Sequence, residues 1–495
     1  MKLCRLYGKI KEIYLFYGAD YMDFSTLLSK IDSAVWGVPL IALILCAGLL
    51  LTIRTGFIQI RHLPRAFRYL FKEEEGAHGE VSGFASLCTA LSATIGTGNI
   101  VGVATAIGIL AGGPGALFWM WIAAFFGMAT KYSEGFLAVK YRTIDSEGHV
   151  LGGPFYYIED GMGKKWKWLA KVFAFFGACV GLMGIGTFSQ VNGISSAVVG
   201  FFDPNNENTI TLFGNTYSIA TVISGVIVAL CAGLVIIGGL KRISSVSQVV
   251  VPFMALLYVI AVVILLVCNI TRIPAALLEI VRDAFGFRAA AGGMLASMLI
   301  SMRNGVARGI FSNESGLGSA PIAAAAAKTH EPVRQGLISM TGTFIDTIII
   351  CTMTGLSIVM MGSWSDEALQ GVQVTTDAFQ KGLYFLPAQA ASFILMICLV
   401  FFAFTTILGW NYYGERCLEY LSGKSKVAVM IYRILYIAAV FIGPYMTVSE
   451  VWTIADIFNG LMAFPNIIAL FALNGVIARD TKDYFARLKK GEISD

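Results

Sequence analysis

The feature that most constrains this chain is a polar break inside a long apolar run. Residues 82–118 are mostly apolar, but near the middle they contain Ser92-Ala93-Thr94-Ile95-Gly96-Thr97-Gly98-Asn99. Hydrocarbon cannot hydrogen-bond a free backbone group, so non-helical backbone in a membrane is tolerated only where it lines a protein cavity. Glycine lowers helix propensity, and Ser, Thr and Asn supply short oxygen ligands. The break therefore predicts a discontinuous transporter helix; the alternative is a tightly packed interface of small residues.

The composition is that of a polytopic membrane protein. Of 495 residues, 57% are hydrophobic and 14% charged, and the mean hydropathy is +0.73. A spanning helix needs about 20 apolar residues. On that basis the sequence predicts an all-α protein with eleven transmembrane helices, at 34–53, 83–111, 114–139, 169–200, 217–240, 246–269, 289–326, 335–361, 387–410, 427–447 and 455–478.

The distribution of Lys and Arg predicts the orientation. Connecting segments on one side of the membrane carry 22 of these residues, and those on the other side carry nine. The richer side is expected to be cytoplasmic. We therefore expect a plasma-membrane protein with segment 1–33 outside and a cytoplasmic tail at 479–495. Segment 1–33 lacks the compact apolar core of a cleaved signal peptide, so the helix at 34–53 would serve as the targeting signal.

Several functional classes are poorly supported. The net charge of +5 follows from this sidedness, so nucleic-acid binding need not be invoked. The nine cysteines show no C-x-x-C spacing, and the four histidines form no ligand cluster. No phosphate-binding loop or nucleophile elbow stands out. An ATP-driven pump or an enzyme is therefore not expected, and no obligate protein partner is evident.

A second irregular stretch lies five helices after the first. Residues 301–321 are rich in Gly, Ser and Asn and lie between the apolar stretch 292–300 and the alanine-rich stretch 322–327. Two broken spans at this offset predict two five-helix repeats of inverted topology, at 83–269 and 289–478, with the helix at 34–53 added before them. The alternative is a cytoplasmic loop, since the stretch contains Arg303, Arg308 and Glu314.

Several blocks of the sequence resemble a known family. The stretch Gly112-Gly113-Pro114-Gly115-Ala116-Leu117-Phe118-Trp119-Met120-Trp121-Ile122, continued to Gly127, is similar to the signature of the alanine or glycine:cation symporters, also called sodium:alanine symporters. Residues 94–102, 309–321 and 405–415 also resemble blocks of that family, and the likeness extends over about 34–480. It implies a LeuT-type 5+5 fold, small neutral amino acids as substrates and co-transported sodium.

The first break also resembles the matching helix of LeuT-type transporters, through Gly96-Thr97-Gly98-Asn99. Unwinding would free the N–H groups of Thr97 and Gly98 at the positive end of a half-helix, where a substrate carboxylate could bind. Carbonyls freed on the other half-helix, such as those of Ser92 and Ile95, are hard oxygen ligands for a small cation.

The resemblance also implies ion-binding hydroxyls. Thr405 and Thr406 match a position where the eighth core helix supplies two hydroxyls to sodium. The alternative is that each hydroxyl bonds its own helix, which is common in membranes. A second sodium using Thr94 and Asn99 is a further expectation from the resemblance.

Other polar and bulky residues are candidates for substrate contact. Phe188 would limit the size of the substrate, and Gln190 offers both donors and acceptors, although an interhelical hydrogen bond would also explain it. Trp410 would cap the pocket, or else anchor the helix at the membrane interface. Asn313, in the second irregular stretch, is a further polar candidate.

Charged residues within the spans need a partner or a function. Asp346 lies deep in an apolar helix, where acids are costly. It would pair with Arg303 or Arg308, or else take part in proton or cation coupling. Lys131 and Glu134, three residues apart on one helix, are predicted to form a local ion pair near the inner interface.

We therefore expect a sodium-coupled symporter of alanine, glycine or similar small neutral amino acids that works by alternating access. One alternative is a proton-coupled permease of the same fold, with Asp346 as the proton carrier. A less favoured alternative is an ion channel, because channels usually repeat one short motif around a symmetric pore.

Overall fold

The computed structural model describes residues 24–493 apart from 73, 75, 146–148, 213–214, 288–292 and 447–448. Predictions about residues 1–23, and about the start of the second repeat at 289–292, lie outside the described residues. Four short strands form two antiparallel hairpins in connecting segments, β1 (Thr143–Ile144) with β2 (Val150–Leu151) and β3 (Thr209–Leu212) with β4 (Asn215–Ser218).

The rest of the ordered structure is helical. The helices are α1 (Phe24–Val35), α2 (Val38–Arg54), α3 (Ile58–Arg61), α4 (Leu63–Tyr69), α5 (Gly83–Thr94), α6 (Val103–Ile107), α7 (Gly115–Lys140), α8 (Pro154–Tyr156), α9 (Lys167–Met183), α10 (Phe188–Phe202), α11 (Ile219–Ile236), α12 (Gly239–Cys268), α13 (Ile273–Ala284), α14 (Met294–Asn313), α15 (Ala320–Ala324), α16 (Pro332–Thr343), α17 (Thr352–Met361), α18 (Val372–Gly382), α19 (Ala388–Leu421), α20 (Lys426–Ile442) and α21 (Ser449–Lys490). Turns of π-helix occupy Gly98–Gly102, Tyr157–Gly161 and Phe344–Cys351. Turns of 3-10 helix occupy Lys164–Trp166, Ile270–Arg272, Ser363–Ser365 and Gly443–Tyr445.

The prediction of a polytopic helical membrane protein is confirmed. Within the described residues, eight helices are long and apolar enough to cross a membrane: Phe24–Arg54, Lys164–Phe202, Ile219–Ile236, Gly239–Cys268, Pro332–Met361, Ala388–Leu421, Lys426–Tyr445 and Thr453–Lys490. The pair Gly83–Thr94 and Gly98–Ile107, bent by 54°, would make a ninth. The helices at the predicted spans 114–139 and 289–326 are not among these nine.

Several boundaries differ from the prediction. Within the described residues, helical structure is already present at Phe24, ahead of the predicted first helix, and α21 extends to Lys490 through most of the predicted tail. The amphipathic helices α13 and α18 between spans were not predicted. The fourth predicted span is also interrupted, because α9 ends at Met183 and α10 begins at Phe188.

The second irregular stretch is shorter than predicted. Helix α14 continues through 301–313, so the expectation of irregular backbone across 301–321 is wrong for its first half. The helix ends where Glu314 adopts a left-handed conformation (φ 57°), and Gly316 and Gly318 follow with φ of 90° and 82°. Two glycines at positive φ, rather than the polar side chains before them, therefore mark the break at 314–319.

Helix α7 lies at the centre of the bundle. It packs against α2, α14 and α16 and is buried along most of its length. Close approach depends on small residues. A methyl group on Gly336 would lie 2.7 Å from the Tyr132 carbonyl oxygen, and one on Gly127 would lie 2.9 Å from the Ser315 hydroxyl.

The leading segment of α5 is tied to the segment after α15 by a short parallel β-bridge. The backbone N–H groups of Glu80 and Val81 donate to the Ala326 carbonyl, and the Lys328 N–H donates to Val81. Arg142 reinforces this bridge, since its guanidinium donates at 2.5–2.8 Å to four backbone carbonyls, those of His78, Ala325, Ala327 and Thr329. The β-bridge and Arg142 together form a clamp that joins the start of the first broken span to the end of the second.

Helix α19 crosses the first broken span at a glycine. A methyl group on Gly409 would lie 2.6 Å from the backbone nitrogen of Ala93, so the two backbones are nearly in contact there. This approach brings the preceding turn of α19 to the end of α5.

We predict that Gly409→Ala lowers the melting temperature of the purified protein, because overpacking a tight crossing costs about 1–3 kcal/mol. Gly475→Ala is the matched control, since a methyl group at that exposed helical glycine meets nothing within 4 Å. The melting temperatures are measured in detergent by fluorescence-detected unfolding. Equal values for the two variants would refute the close crossing.

Candidate functional site

The first break begins at Ile95. Helix α5 ends at Thr94, and Ile95 is extended (φ −78°, ψ 93°), so its carbonyl oxygen leaves the helical hydrogen-bond pattern. The hydroxyl of Thr406 on α19 shares its one hydrogen between this carbonyl, at 3.2 Å, and the Phe402 carbonyl of its own helix, at 3.0 Å. Both threonine and carbonyl are buried. Two neutral oxygens from different helices therefore meet at the broken end of α5.

Side chains also partner the N–H groups that the break frees. The Gly96 N–H donates to Asn99 Oδ1 at 2.9 Å, and the Thr97 N–H donates to Gln190 Oε1 at 3.1 Å. Of the two donors expected to bind a substrate carboxylate, Thr97 is therefore occupied by a glutamine. Gly98 begins a π-helical turn, and a methyl group there would contact the ring of Phe311 at 3.5 Å.

Gln190 is positioned by the interruption between α9 and α10. Its Nε2 donates to the Ile185 carbonyl at 3.0 Å, within that interruption. Gly186 is needed there, because a methyl group would lie 2.5 Å from the Cβ of Trp410. Two glycines two residues apart, 184 and 186, were the sequence signal for this third break.

Trp410 is fully buried and makes an edge-to-face contact with Tyr413, with ring centroids 5.6 Å apart. An interfacial anchor reaches the lipid headgroups, so this burial rules out the anchor hypothesis. Its indole N–H has no hydrogen-bond partner among the described residues. Phe188, at the start of α10, is half-buried and packs towards Gly443.

Asn313 is fully engaged at the second break. Its Nδ2 donates to the Thr347 hydroxyl at 3.0 Å, and its Oδ1 accepts from the Ser315 N–H at 2.9 Å. Glu314 accepts from the Ser319 hydroxyl at 2.6 Å, across the break. The second break is thus closed by its own side chains.

Glu134 supports the second break and does not pair with Lys131. Its Oε1 accepts from the Gly316 N–H at 3.1 Å and from Asn466 Nδ2 at 2.6 Å. Both Lys131 and Glu134 are buried, and neither forms an ion pair within the described part of the chain. The prediction of a local pair near the inner interface is therefore wrong, because the backbone of the break recruits the carboxylate.

Asp346 joins the two broken spans. It lies in the π-helical turn Phe344–Cys351, and such turns are frequent at functional sites. Its carboxylate accepts from Asn99 Nδ2 at 2.7 Å, the Ser312 hydroxyl at 2.9 Å and the Thr347 hydroxyl at 2.7 Å. Arginine pairing, which the sequence suggested, is not observed among these contacts.

The hydroxyls of Ser92, Thr94 and Thr405 bond to carbonyls of their own helices. The Ser92 hydroxyl donates to the Thr89 carbonyl and the Thr94 hydroxyl to the Ala90 carbonyl, both within α5. The Thr405 hydroxyl donates to its own helix at Phe402 (3.0 Å) and contacts the Met254 sulfur (3.3 Å) on α12. Thr406 therefore faces the break, whereas Thr405 faces another helix.

Two cavities reach the first break. One of about 980 Å³ and one of about 220 Å³ share Thr97, Val101 and Ser189 in their walls. Gly98 lines the smaller cavity as well. In the described residues, no group of three or more His, Cys, Asp and Glu side chains is placed to hold a metal ion. Any cation at the break would therefore be held mainly by neutral oxygens.

Comparison with known proteins identifies the family. A model of the sodium:alanine symporter family matches residues 22–495. The chain is 55% identical to an uncharacterized transporter of Haemophilus influenzae, covering 94% of this chain and 98% of the relative. It is 44% identical to the sodium/alanine symporter AgcS of Methanococcus maripaludis (95% and 99%) and 38% identical to the probable sodium/glutamine symporter GlnT of Bacillus subtilis (93% and 91%). This chain is an integral membrane protein that belongs to the sodium:alanine symporter family.

Proposed function

We propose that the protein is a secondary active transporter that couples the inward movement of sodium to the uptake of small neutral amino acids, alanine or glycine. The observation that carries this proposal is the meeting of Thr406 and Ile95. A freed carbonyl and a hydroxyl from another helix are the ligands that a hard monovalent cation requires. The names of the relatives AgcS and GlnT include sodium with an amino acid, which supports the same coupling.

In the proposed sodium site, the ion lies between the Ile95 carbonyl and the Thr406 hydroxyl. It would replace the hydrogen bond that joins them at 3.2 Å, so the hydroxyl would turn its lone pair to the ion. The Ser92 carbonyl is a further proposed ligand, whereas the Thr405 hydroxyl, which the sequence also suggested, contacts Met254 and is left out of the proposed set. A second sodium is proposed at Thr94 and Asn99, where the ion would compete with the Gly96 N–H for Asn99 Oδ1.

The substrate would bind where the cavities meet the break. Its carboxylate would replace Gln190 as the acceptor of the Thr97 N–H, with the Gly98 N–H beside it. Release of Gln190 would thus accompany binding. Phe188, Asn313 and Trp410, which the sequence suggested as further substrate contacts, do not line either cavity, so a contact with the substrate would need a change in the pocket.

The proposed architecture has eleven spans of LeuT type. Helices α7 and α14 carry buried charged or polar residues, and α7 faces protein rather than lipid along most of its length, so both would cross the membrane although they are less apolar. Residues 83–269 and 289–478 would form the inverted repeats, preceded by the helix at 34–53. The Lys and Arg distribution places the N-terminus outside and the C-terminus inside.

The surroundings of Asp346 favour sodium over proton coupling. Three donors surround its carboxylate, and an ionised carboxylate is purely an acceptor, so the arrangement matches the charged form. Protonation of Asp346 would require the hydroxyl of Ser312 or Thr347 to turn and accept a hydrogen bond in place of donating one.

We expect uptake of labelled alanine into proteoliposomes to require an inward sodium gradient, and to fall to background when potassium replaces sodium. Uptake unaffected by that replacement, or driven by a pH gradient without sodium, would reject the proposal.

We expect Thr406→Val to raise the sodium concentration for half-maximal uptake by about tenfold, which corresponds to loss of one ligand worth about 1.4 kcal/mol. Thr405→Val is the matched control, because its hydroxyl faces Met254, and it should change this concentration much less. An equal effect of the two substitutions would contradict the assignment of Thr406 to the ion.

We expect Asp346→Asn to destabilise the purified protein by about 1–3 kcal/mol, because the new amide leaves a buried donor without an acceptor. Sodium-driven uptake should be lost with it. Asp366→Asn, at an exposed aspartate, is the control and should match the wild type. If Asp346→Asn kept its stability and lost only a pH-driven component of uptake, Asp346 would be a proton carrier.

A further inference from the structure

The smaller cavity contains one basic and one acidic side chain. Arg308, from α14, and Asp456, from α21, line the same space of about 220 Å³ as Thr97 and Gly98. The sequence had suggested Arg308 only as a partner for Asp346, and Asp456 had no assigned part. The cavity therefore brings two opposite charges next to the backbone of the first break.

Neither charge is neutralised by a direct partner. Among the described residues, the Asp456 side chain forms no hydrogen bond or ion pair; its backbone carbonyl accepts from Trp36 Nε1 at 2.9 Å. The Arg308 guanidinium lies 5.6 Å from the centroid of the Phe311 ring and forms no ion pair in the same part of the chain. The two charges attract each other electrostatically without meeting at salt-bridge distance.

Both side chains are partly exposed to the cavity, so their charged groups remain available to a ligand that enters it. Partly buried charges gain from hydrogen-bond partners of opposite charge. A ligand that carries both charges, with one end for each residue, would supply them together. An α-amino acid is a zwitterion of this kind, since its carboxylate suits a guanidinium and its ammonium suits a carboxylate.

The dimensions agree with a small amino acid. A volume of 220 Å³ corresponds to about seven water molecules at 30 Å³ each, which leaves room for a three-carbon zwitterion and some water. Phe311 connects the two ends of the cavity, because its ring lies beneath Arg308 and against Gly98. A ligand released from the charged pair would therefore reach the break without leaving the cavity.

We propose that Arg308 and Asp456 form a separate binding site for zwitterionic amino acids, which receives the substrate before it moves to Thr97 and Gly98. The carboxylate binds Arg308 and the ammonium binds Asp456. This inference rests on the proposed function. Asp32, on α1, lies within electrostatic range of both residues and adds to the acidic end of the site.

The test compares alanine uptake by Arg308→Gln and Asp456→Asn with the wild type in proteoliposomes under a sodium gradient. Removal of one charged side chain lowers the occupancy of the site at low alanine concentration. At saturating alanine the site is still filled, so substrate still moves on to the first break. We expect each variant to raise KM for alanine by about tenfold, which is the loss of one charged contact, with a maximal rate within about twofold of the wild type. Arg308→Lys should recover part of the loss.

Arg282→Gln and Asp366→Asn are the matched controls, since both residues are exposed and neither lines the cavity. They should leave KM unchanged. Melting temperatures of all variants separate misfolding from loss of binding, and the conservative Asp456→Glu provides a second substitution at the acidic end.

Two results would overturn the inference. In the first, KM of Arg308→Gln and Asp456→Asn equals KM of the controls. In the second, the maximal rate falls while KM is unchanged, which would mean that the pair only stabilises one conformation. Wild-type protein that shows no sodium-driven alanine uptake would instead refute the proposed function. Failures of the two proposals are thus distinguishable.

Discussion

The structure depends on satisfying the backbone groups that the first break exposes. In hydrocarbon an unpaired N–H or C=O costs several kcal/mol, so a span can unwind only where other side chains replace its helical hydrogen bonds. Thr406 supplies a donor for the Ile95 carbonyl, and Asn99 and Gln190 supply acceptors for the N–H groups of Gly96 and Thr97. These partners come from α19, from the break itself and from α10. The break is therefore maintained by three parts of the chain at once.

The same partners connect the break to the rest of the molecule. Asn99 also donates to Asp346, which accepts from Ser312 on the second broken span. Gln190 is held by the interruption that contains Ile185. The three interruptions are thus joined by side-chain hydrogen bonds of 2.7–3.1 Å. Occupation of the first break by an ion or an amino acid would alter contacts in all three.

The sequence predicted the parts of this site that depend on local pattern. The break at 92–99 could be found because glycines and short polar residues interrupt an apolar run. The second break was placed too early, because the run of Gly, Ser and Asn begins at residue 301, whereas residues 301–313 lie on a continuous helix. Side chains that face a protein cavity do not need the apolar character that a lipid-facing helix needs.

The tertiary contacts of the site could not be predicted from local sequence pattern. Asn99 and Asp346 are 247 residues apart, and Thr97 and Gln190 are 93 apart, so no local pattern joins them. The predicted pair of Lys131 and Glu134 failed for the same reason, since the competing partner Gly316 belongs to a distant segment. Helix periodicity specified which elements form, and packing then determined which polar groups meet.

The clamp formed by Arg142 and the β-bridge at Val81 has a consequence for how the molecule changes shape. Arg142 is partly exposed, so water can take over the four carbonyls when the guanidinium withdraws, and the net change in free energy is small. Asn99 and Asp346, by contrast, are both fully buried, so separating them would leave polar groups without hydrogen-bond partners. We therefore expect the helices to rotate about the buried contact of Asn99 with Asp346 and to separate at the clamp. Withdrawal of Arg142 would there release both broken spans together.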